Sequence, residues 1–343
     1  MGRIKLIAKL LQAYLPPRVV GWIAPNRDRY RGAQIDAKAY AVGQLANALR
    51  DDDALPTIEE SRLQMAKTAR ALDRKGPPLV RIEDITVSGA DGLLRARLYS
   101  DRSGNGDNPA LVYFHGGGFV QGDLDTHHEV CAKIAKWWGG TVIAVDYRLA
   151  PEHPYPAGVN DAISAYLDIV SRAGELGLNP ECIGVGGDSA GGCFAAVVAQ
   201  QVLKSAGPVP QFQVLVYPVT DGHINSVSVN ELAQAYILPK ARMRWYRDIY
   251  AGDFRDFDDP LFSPLLAKDM SGLPQAYIVT GGFDPLVDDG SGYADKLKAA
   301  GVPVVHRHFD GQVHAFINLT KVIPEGTLAL KEIAIWLRGV CKQ

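Results

Sequence analysis

From residue 110 to the C-terminus, short continuous apolar runs alternate with longer amphipathic stretches. The apolar runs fall at 110–114, 141–147, 182–186, 212–217, 276–280 and 302–309, and the amphipathic stretches near 128–138, 160–173, 190–204, 289–300 and 325–340. An apolar run without polar alternation belongs to a strand covered on both faces. Strands joined through helices lie parallel, because a parallel pair needs a long crossover. The pattern predicts an α/β fold with a mostly parallel central sheet flanked by helices.

Two stretches do not fit that alternation. Residues 1–75 read as polar helices broken by Pro16-Pro17 and by the run Asp51-Asp52-Asp53, with no strand pattern. A hairpin follows at 79–87 and 94–99, around Ala90-Asp91-Gly92. Some 58 residues separate Tyr217 from Ala276, far more than a crossover needs. This interval reads as an insertion with a helix at 241–251, packing with the N-terminal helices into a second, smaller unit. The first helix carries Ile4, Ile7, Leu11 and Tyr14 as an apolar stripe, with Lys5 and Lys9 off it.

Charge and composition narrow the partners. With 36 basic and 38 acidic residues and a net charge of −2, no global basic field exists to hold nucleic acid. No apolar stretch approaches the roughly 18–20 residues of a membrane span. Cys131, Cys182, Cys193 and Cys341 form no C-x-x-C pair and read as free buried thiols. The N-terminal segment lacks a cleavage pattern, so a cytoplasmic location is expected.

Gly187-Asp188-Ser189-Ala190-Gly191 follows one apolar run and opens a helical stretch. A serine on a sharp strand-to-helix turn needs small neighbours so that its hydroxyl stands clear of the backbone. His115-Gly116-Gly117-Gly118 also follows a strand directly. Its glycines allow backbone N–H groups to converge where acyl transfer develops an oxyanion. Gly117, Gly118 and Ala190 are the expected donors, with His115 and Gly116 supporting the loop. A phosphate-cradling loop is disfavoured, since no G-x-x-x-x-G-K-[ST] occurs.

Eight histidines compete to activate Ser189. Functional groups gather at the carboxyl ends of the strands in the order serine, acid, histidine, which leaves His306, His308 and His314. The first two lie inside the last strand pattern, whereas His314 follows Asp310-Gly311 just past it. Asp284 leaves the preceding strand at the same edge. Asp288 and Asp289 fit the first turn of the following helix, where its dipole favours them. The expected triad is Ser189, Asp284 and His314; no metal and no organic cofactor are required.

These motifs resemble the hormone-sensitive-lipase-like branch of the α/β-hydrolase carboxylesterases. The resemblance runs from about residue 80 to the C-terminus. It rests on His115-Gly116-Gly117-Gly118-Phe119, Gly122-Asp123, Asp146 to Glu152 with Pro156-Ala157 and Asp161, Gly187 to Gly192, Asp284-Pro285-Leu286, and His314. It implies hydrolysis of small to medium carboxylic esters, with the run from Asp146 to Glu152 supporting the oxyanion loop. It further implies a cap built from residues 1–75 and the insertion 219–261, over a catalytic domain of 76–218 and 262–343. Oligomers through an edge strand are common in such proteins, so a homodimer is compatible with it. Ala315 stands where the family usually has glycine, and Cys193 where it often has asparagine. Phe119, Trp245, Tyr246 and Tyr250 are expected to wall the substrate pocket. Two other functions compete: a non-catalytic small-molecule receptor on the same scaffold, and a lipase working at a lipid interface.

Overall fold

The apolar runs assemble into one eight-stranded sheet. A computed structural model describes residues 3–50, 55–102 and 107–340, with the backbone alone for 3–7. The strands are β1 (Arg81–Gly89), β2 (Gly92–Ser100), β3 (Asn108–Phe114), β4 (Thr141–Val145), β5 (Leu178–Asp188), β6 (Phe212–Val216), β7 (Gln275–Phe283) and β8 (Val304–Val313). Across the sheet they run β1-β2-β4-β3-β5-β6-β7-β8. β2 lies antiparallel to β1 and to β4, and every other pair is parallel.

Side-chain alternation on each buried strand divides the core in two. On β3, Val112 and Phe114 pack with helices Ala157–Ser171 and Ala190–Lys204, while Leu111 and Tyr113 pack with His128–Trp138 and Pro324–Val340. β3 is flanked by β4 on one side and β5 on the other, so the winding of the sheet reverses there. Ligand crevices form at such a reversal, outside the carboxyl ends of the strands. Phe114 and Gly187 are register partners, which brings the segments after β3 and β5 together at that point.

The N-terminal segment is mainly helical, with one exception to the sequence reading. Arg29–Tyr30 and Ala33–Gln34 form a two-stranded ribbon. Arg31 and Gly32 both take positive φ, 45° and 86°, which is the geometry of a tight hairpin turn. Helix Arg3–Tyr14 forms, but Leu11 and Tyr14 are 62% and 49% exposed, and it is Ala13 that is buried. Polar contacts decide its orientation. Lys9 Nζ donates to Gln44 Oε1 at 3.1 Å, and Lys38 Nζ donates to the carbonyls of Ala13 and Leu15. The side chains of Ile4 and Ile7, the run Asp51 to Asp53, and Cys341 lie outside the described residues. Cys131 and Cys193 are free and buried, whereas Cys182 is disulfide-bonded rather than free.

Helix Ala37–Leu49 packs on the insertion: Gly43 lies against the Tyr236 ring, and Arg50 donates to the Tyr236 carbonyl at 3.2 Å. The insertion is pinned to the sheet by Asp289, in the first turn of helix Val287–Ala299. Asp289 Oδ2 accepts from the backbone N–H groups of Thr220 and Asp221, at 2.9 and 3.1 Å. Burial, reinforced by the charges of Asp221 and Asp284, raises its pKa to about 7 against the opposing pull of those two N–H groups. A carboxyl raised in the native state retains its stabilising proton only while pH stays low. Its contribution is therefore full below about 4 and is lost as pH climbs to about 7. Asp289→Asn keeps an acceptor for both N–H groups and does not titrate. Denaturant titrations across pH should find it more stable than the parent at pH 8 by roughly 1–3 kcal/mol, with the gap closing toward pH 4.

Candidate active site

Ser189 follows β5 immediately and opens helix Ala190–Lys204 with φ 54° and ψ −116°. Such a conformation is costly for a residue with a Cβ and persists only where surroundings fix it. The Ser189 N–H donates to the Val216 carbonyl at 2.9 Å, and its carbonyl accepts from Cys193 N–H at 3.1 Å. The turn is thereby tied to β6 and to the helix it starts.

The register of β7 and β8 brings two further side chains beside it. After an irregularity beyond Phe309, Val313 pairs with Phe283, so the next stretch of each strand leaves the sheet at one place. His314 Nδ1 lies 2.7 Å from Asp284 Oδ2, and His314 Nε2 lies 3.0 Å from Ser189 Oγ. Asp284 is fully buried, and its Oδ1 accepts from Leu286 N–H at 2.9 Å. With a carboxylate as acceptor, Nδ1 carries the proton and the Nε2 lone pair faces the serine hydroxyl. Tyr217 leans on the imidazole with ring centroids 4.7 Å apart.

The loop after β3 curls toward Ser189. Gly117 and Gly118 have φ of 135° and 62°; a Cβ would strike the Gln121 carbonyl at the first and the Tyr246 ring at the second. Neither glycine N–H, nor that of Ala190, donates to any acceptor among the described residues. The loop is braced from below and behind. Tyr147 Oη donates to the His115 carbonyl at 2.6 Å, Ala150 N–H to the Phe119 carbonyl at 3.0 Å, and Arg62 Nε to the Val120 carbonyl at 2.8 Å. His115 stacks on Tyr147 at 4.3 Å, and burial together with neighbouring His127 lowers its pKa to about 4. It is neutral at physiological pH and serves as a packed brace.

One role was not assigned from the sequence. Asp188, the residue before the serine, accepts from Tyr113 Oη at 2.7 Å and from Gly116 N–H at 3.0 Å, with His127 Nε2 at 3.3 Å. Burial alone would raise its pKa, but His127, Tyr113 and the Gly116 N–H together hold it below the ordinary range. Its position inside the Gly-Asp-Ser-Ala-Gly motif was the available signal. His306 and His308 do not reach the site. Both lie beside Thr280 Oγ1, at 2.9 and 2.8 Å.

Above Ser189 lies a cavity of about 330 Å³. Phe119 and Tyr246 line it; Trp245 and Tyr250, expected there, do not. Helix Lys240–Ala251 turns 242, 243, 246 and 247 to the cavity, so Trp245 packs beside Tyr246 and Tyr250 is buried behind Phe119, stacked at 4.0 Å. Much of the opposite wall comes from Val42, Leu45 and Leu49 on helix Ala37–Leu49 and from Met65 and Leu72 on helix Ile58–Leu72. The spacing of 42, 45 and 49 was visible in the sequence, but not what that face would meet.

Ala315, next to His314, takes φ 61°. A left-handed alanine costs about 1–2 kcal/mol relative to right-handed backbone, which glycine avoids at a smaller entropic cost. Ala315→Gly should therefore raise stability by up to about 1 kcal/mol, read as a higher midpoint in denaturant with an unchanged slope.

A family model described as alpha/beta hydrolase fold matches residues 111–318. Among curated relatives, the carboxylic ester hydrolase LipN of Mycobacterium tuberculosis is 42% identical over 297 residues, covering 84% of this chain and 77% of that protein. Esterase LipI of the same organism is 38% identical over 295 residues, covering 84% and 92%. Among solved structures, the ester hydrolase EH1AB1 from the Lake Arreo metagenome superposes with a TM-score of 0.86 at 35% identity, covering 90% of this chain and all of that one (100%). With its sheet order and the motifs at the carboxyl ends of β3 and β5, the chain belongs to the hormone-sensitive-lipase-like carboxylesterases of the α/β-hydrolase fold.

Proposed function

We propose that the protein hydrolyses carboxylic esters of short to medium acyl chain through an acyl-enzyme. The observation that carries this reading is the pair of contacts at His314, 2.7 Å to Asp284 and 3.0 Å to Ser189. In this mechanism His314 Nε2 takes the Ser189 proton as Oγ attacks the ester carbon, and Asp284 fixes the tautomer and stabilises the imidazolium. The N–H groups of Gly117, Gly118 and Ala190 receive the oxyanion, each donor contributing about 3–4 kcal/mol to the transition state. The imidazolium returns its proton to the departing alkoxide, and water repeats the cycle on the acyl-serine.

The N-terminal helices and the insertion act as a cap that selects the acyl chain. Their side chains supply the apolar roof of the cavity, where each buried methylene gains about 0.8 kcal/mol until the space is filled. The non-catalytic receptor reading is disfavoured by the assembled triad.

Ser189→Ala should lower kcat on p-nitrophenyl butanoate by ~10³–10⁶ while leaving the circular dichroism spectrum unchanged, because the three residues act as a unit. An alanine variant with more than about a tenth of parental activity contradicts the assignment. Across p-nitrophenyl esters, kcat/KM should climb from acetyl to about hexanoyl and decline beyond roughly ten carbons. A preference for C16 esters would refute the cap's selecting role.

A further inference from the structure

The cavity contains a cation without a counter-charge. Two arginines of helix Lys240–Ala251 line it, Arg242 and Arg247. Arg247 is neutralised by Asp248, with Nη2 2.7 Å from Oδ1. Arg242 is not. Among the described residues no carboxylate pairs with it and none of its N–H groups finds an acceptor, and its Nη1 is sealed from solvent without a partner. Its guanidinium lies over the Trp245 and Tyr246 rings, with 5.1 and 5.7 Å to their centroids. The other ionisable groups of the cavity wall cannot answer it. Asp188 is bonded to Tyr113 and Gly116, and His314 is held by Asp284.

An arginine presents five donors and stays cationic at any working pH. The two aromatic faces hold it in place and offset part of its desolvation, but they satisfy none of its donors. Its other donors, on Nε and Nη2, are also without partners among the described residues, on a side chain that lines the cavity, and such a fork fits an acceptor that arrives with the ligand. Its position relative to the chemistry is set by the helix. Tyr246, four residues further along, packs on Gly118 of the oxyanion loop, so Arg242 stands about 6 Å along the axis from that contact. A few methylenes span such an interval.

We propose that Arg242 forms an anion subsite, and that the substrates, on the esterase reading above, are esters bearing a carboxylate a few carbons from the scissile carbonyl. A carboxylate matches the planar fork of one guanidinium, whereas a phosphate dianion would leave a second charge uncompensated in this wall. Arg242 recognises the substrate at a distance from the bond that breaks. Hydrolysis of a hemiester would release an alcohol and a dicarboxylate.

The test compares monomethyl succinate, glutarate and adipate, and 4-acetoxybutanoate, each with its terminal-carboxamide isostere. The acyl-side and alcohol-side placements of the anion are both covered. The parent enzyme should favour the carboxylate in at least one series by about ten- to a hundredfold in kcat/KM, the range of a hydrogen bond to a charged group. Arg242→Met should bring that ratio to one or below, and Arg242→Lys should restore part of it. Arg244→Met, which removes an exposed charge of the same helix away from the cavity wall, should keep the ratio. Calorimetry on Ser189→Ala with the same pairs reads binding without chemistry. Turnover with no preference for carboxylate in either series, or a preference surviving Arg242→Met, overturns the subsite and leaves the esterase reading standing. If no probe is hydrolysed but Ser189→Ala binds carboxylate over carboxamide by the expected factor, the subsite stands and the esterase reading falls. Equal binding of both overturns the subsite.

Discussion

The catalytic end of the sheet is organised around one buried carboxylate, that of Asp188. It is 3% exposed and shared between a tyrosine hydroxyl from β3, a backbone N–H from the loop after β3, and the imidazole of His127. An ionised carboxylate in such surroundings is tolerable only when all of its partners are in place, since losing one leaves a desolvated charge. The Ser189 turn and the glycine loop after β3 are therefore not free to adjust separately. Asp188 is covalently next to Ser189 and hydrogen-bonded to Gly116, so the hydroxyl and the loop that would receive the oxyanion share an anchor. Rigid placement of this kind is what electrostatic stabilisation of a transition state demands, because the donors must be oriented before charge develops.

Backbone strain gathers at the same end. Ser189, Phe119 and Ala315 all take positive φ, at 54°, 66° and 61°. Each non-glycine residue in this region costs of order 1–3 kcal/mol and needs local compensation. Ser189 has it through bonds to Val216 and Cys193 on either side. Phe119 is clamped between the Ala150 N–H at its carbonyl and the Tyr250 ring at its side chain. Ala315 is held through its carbonyl, which accepts from Asn318 N–H at 3.1 Å, and the strain there borders the imidazole directly.

What could be read from the sequence is what local chemistry forces. Strands buried on both faces must be apolar throughout, so the succession of β3 to β8 and their helices along the chain followed from the alternation of apolar runs with amphipathic stretches. A serine on a tight turn needs small neighbours, and converging N–H groups need glycines, so both loops were legible as motifs. The legible part ends where long-range packing chooses between faces. Leu11 and Tyr14 lie on the more apolar side of their helix, yet that side is exposed, because Lys9 and Lys38 make polar contacts that periodicity does not record. Trp245 and Tyr250 are as apolar as Tyr246, but the rotation of one helix decides that only Tyr246 meets the cavity. The ribbon at Arg29–Gln34 escaped notice because its turn uses Arg31-Gly32 rather than the Asn-Gly or Asp-Gly that such turns favour.

The insertion is more than a cover laid over a finished site. Helix Lys240–Ala251 touches the glycine loop after β3 at two points one turn apart: Tyr246 fills the space beside Gly118, and Tyr250 stacks on Phe119. Close packing makes such contacts stiff, since a void of even a methyl group is felt by its neighbours. A ligand that pulls this helix by a fraction of an ångström acts on the two residues flanking the expected oxyanion position. Binding free energy from a part of the substrate remote from the scissile bond can thereby be expressed at the reacting carbonyl, which is how remote contacts raise kcat rather than only lowering KM. The same geometry gives the cavity-facing residues of this helix two neighbours at once, the cavity over Ser189 on one side and the loop that would stabilise the transition state on the other.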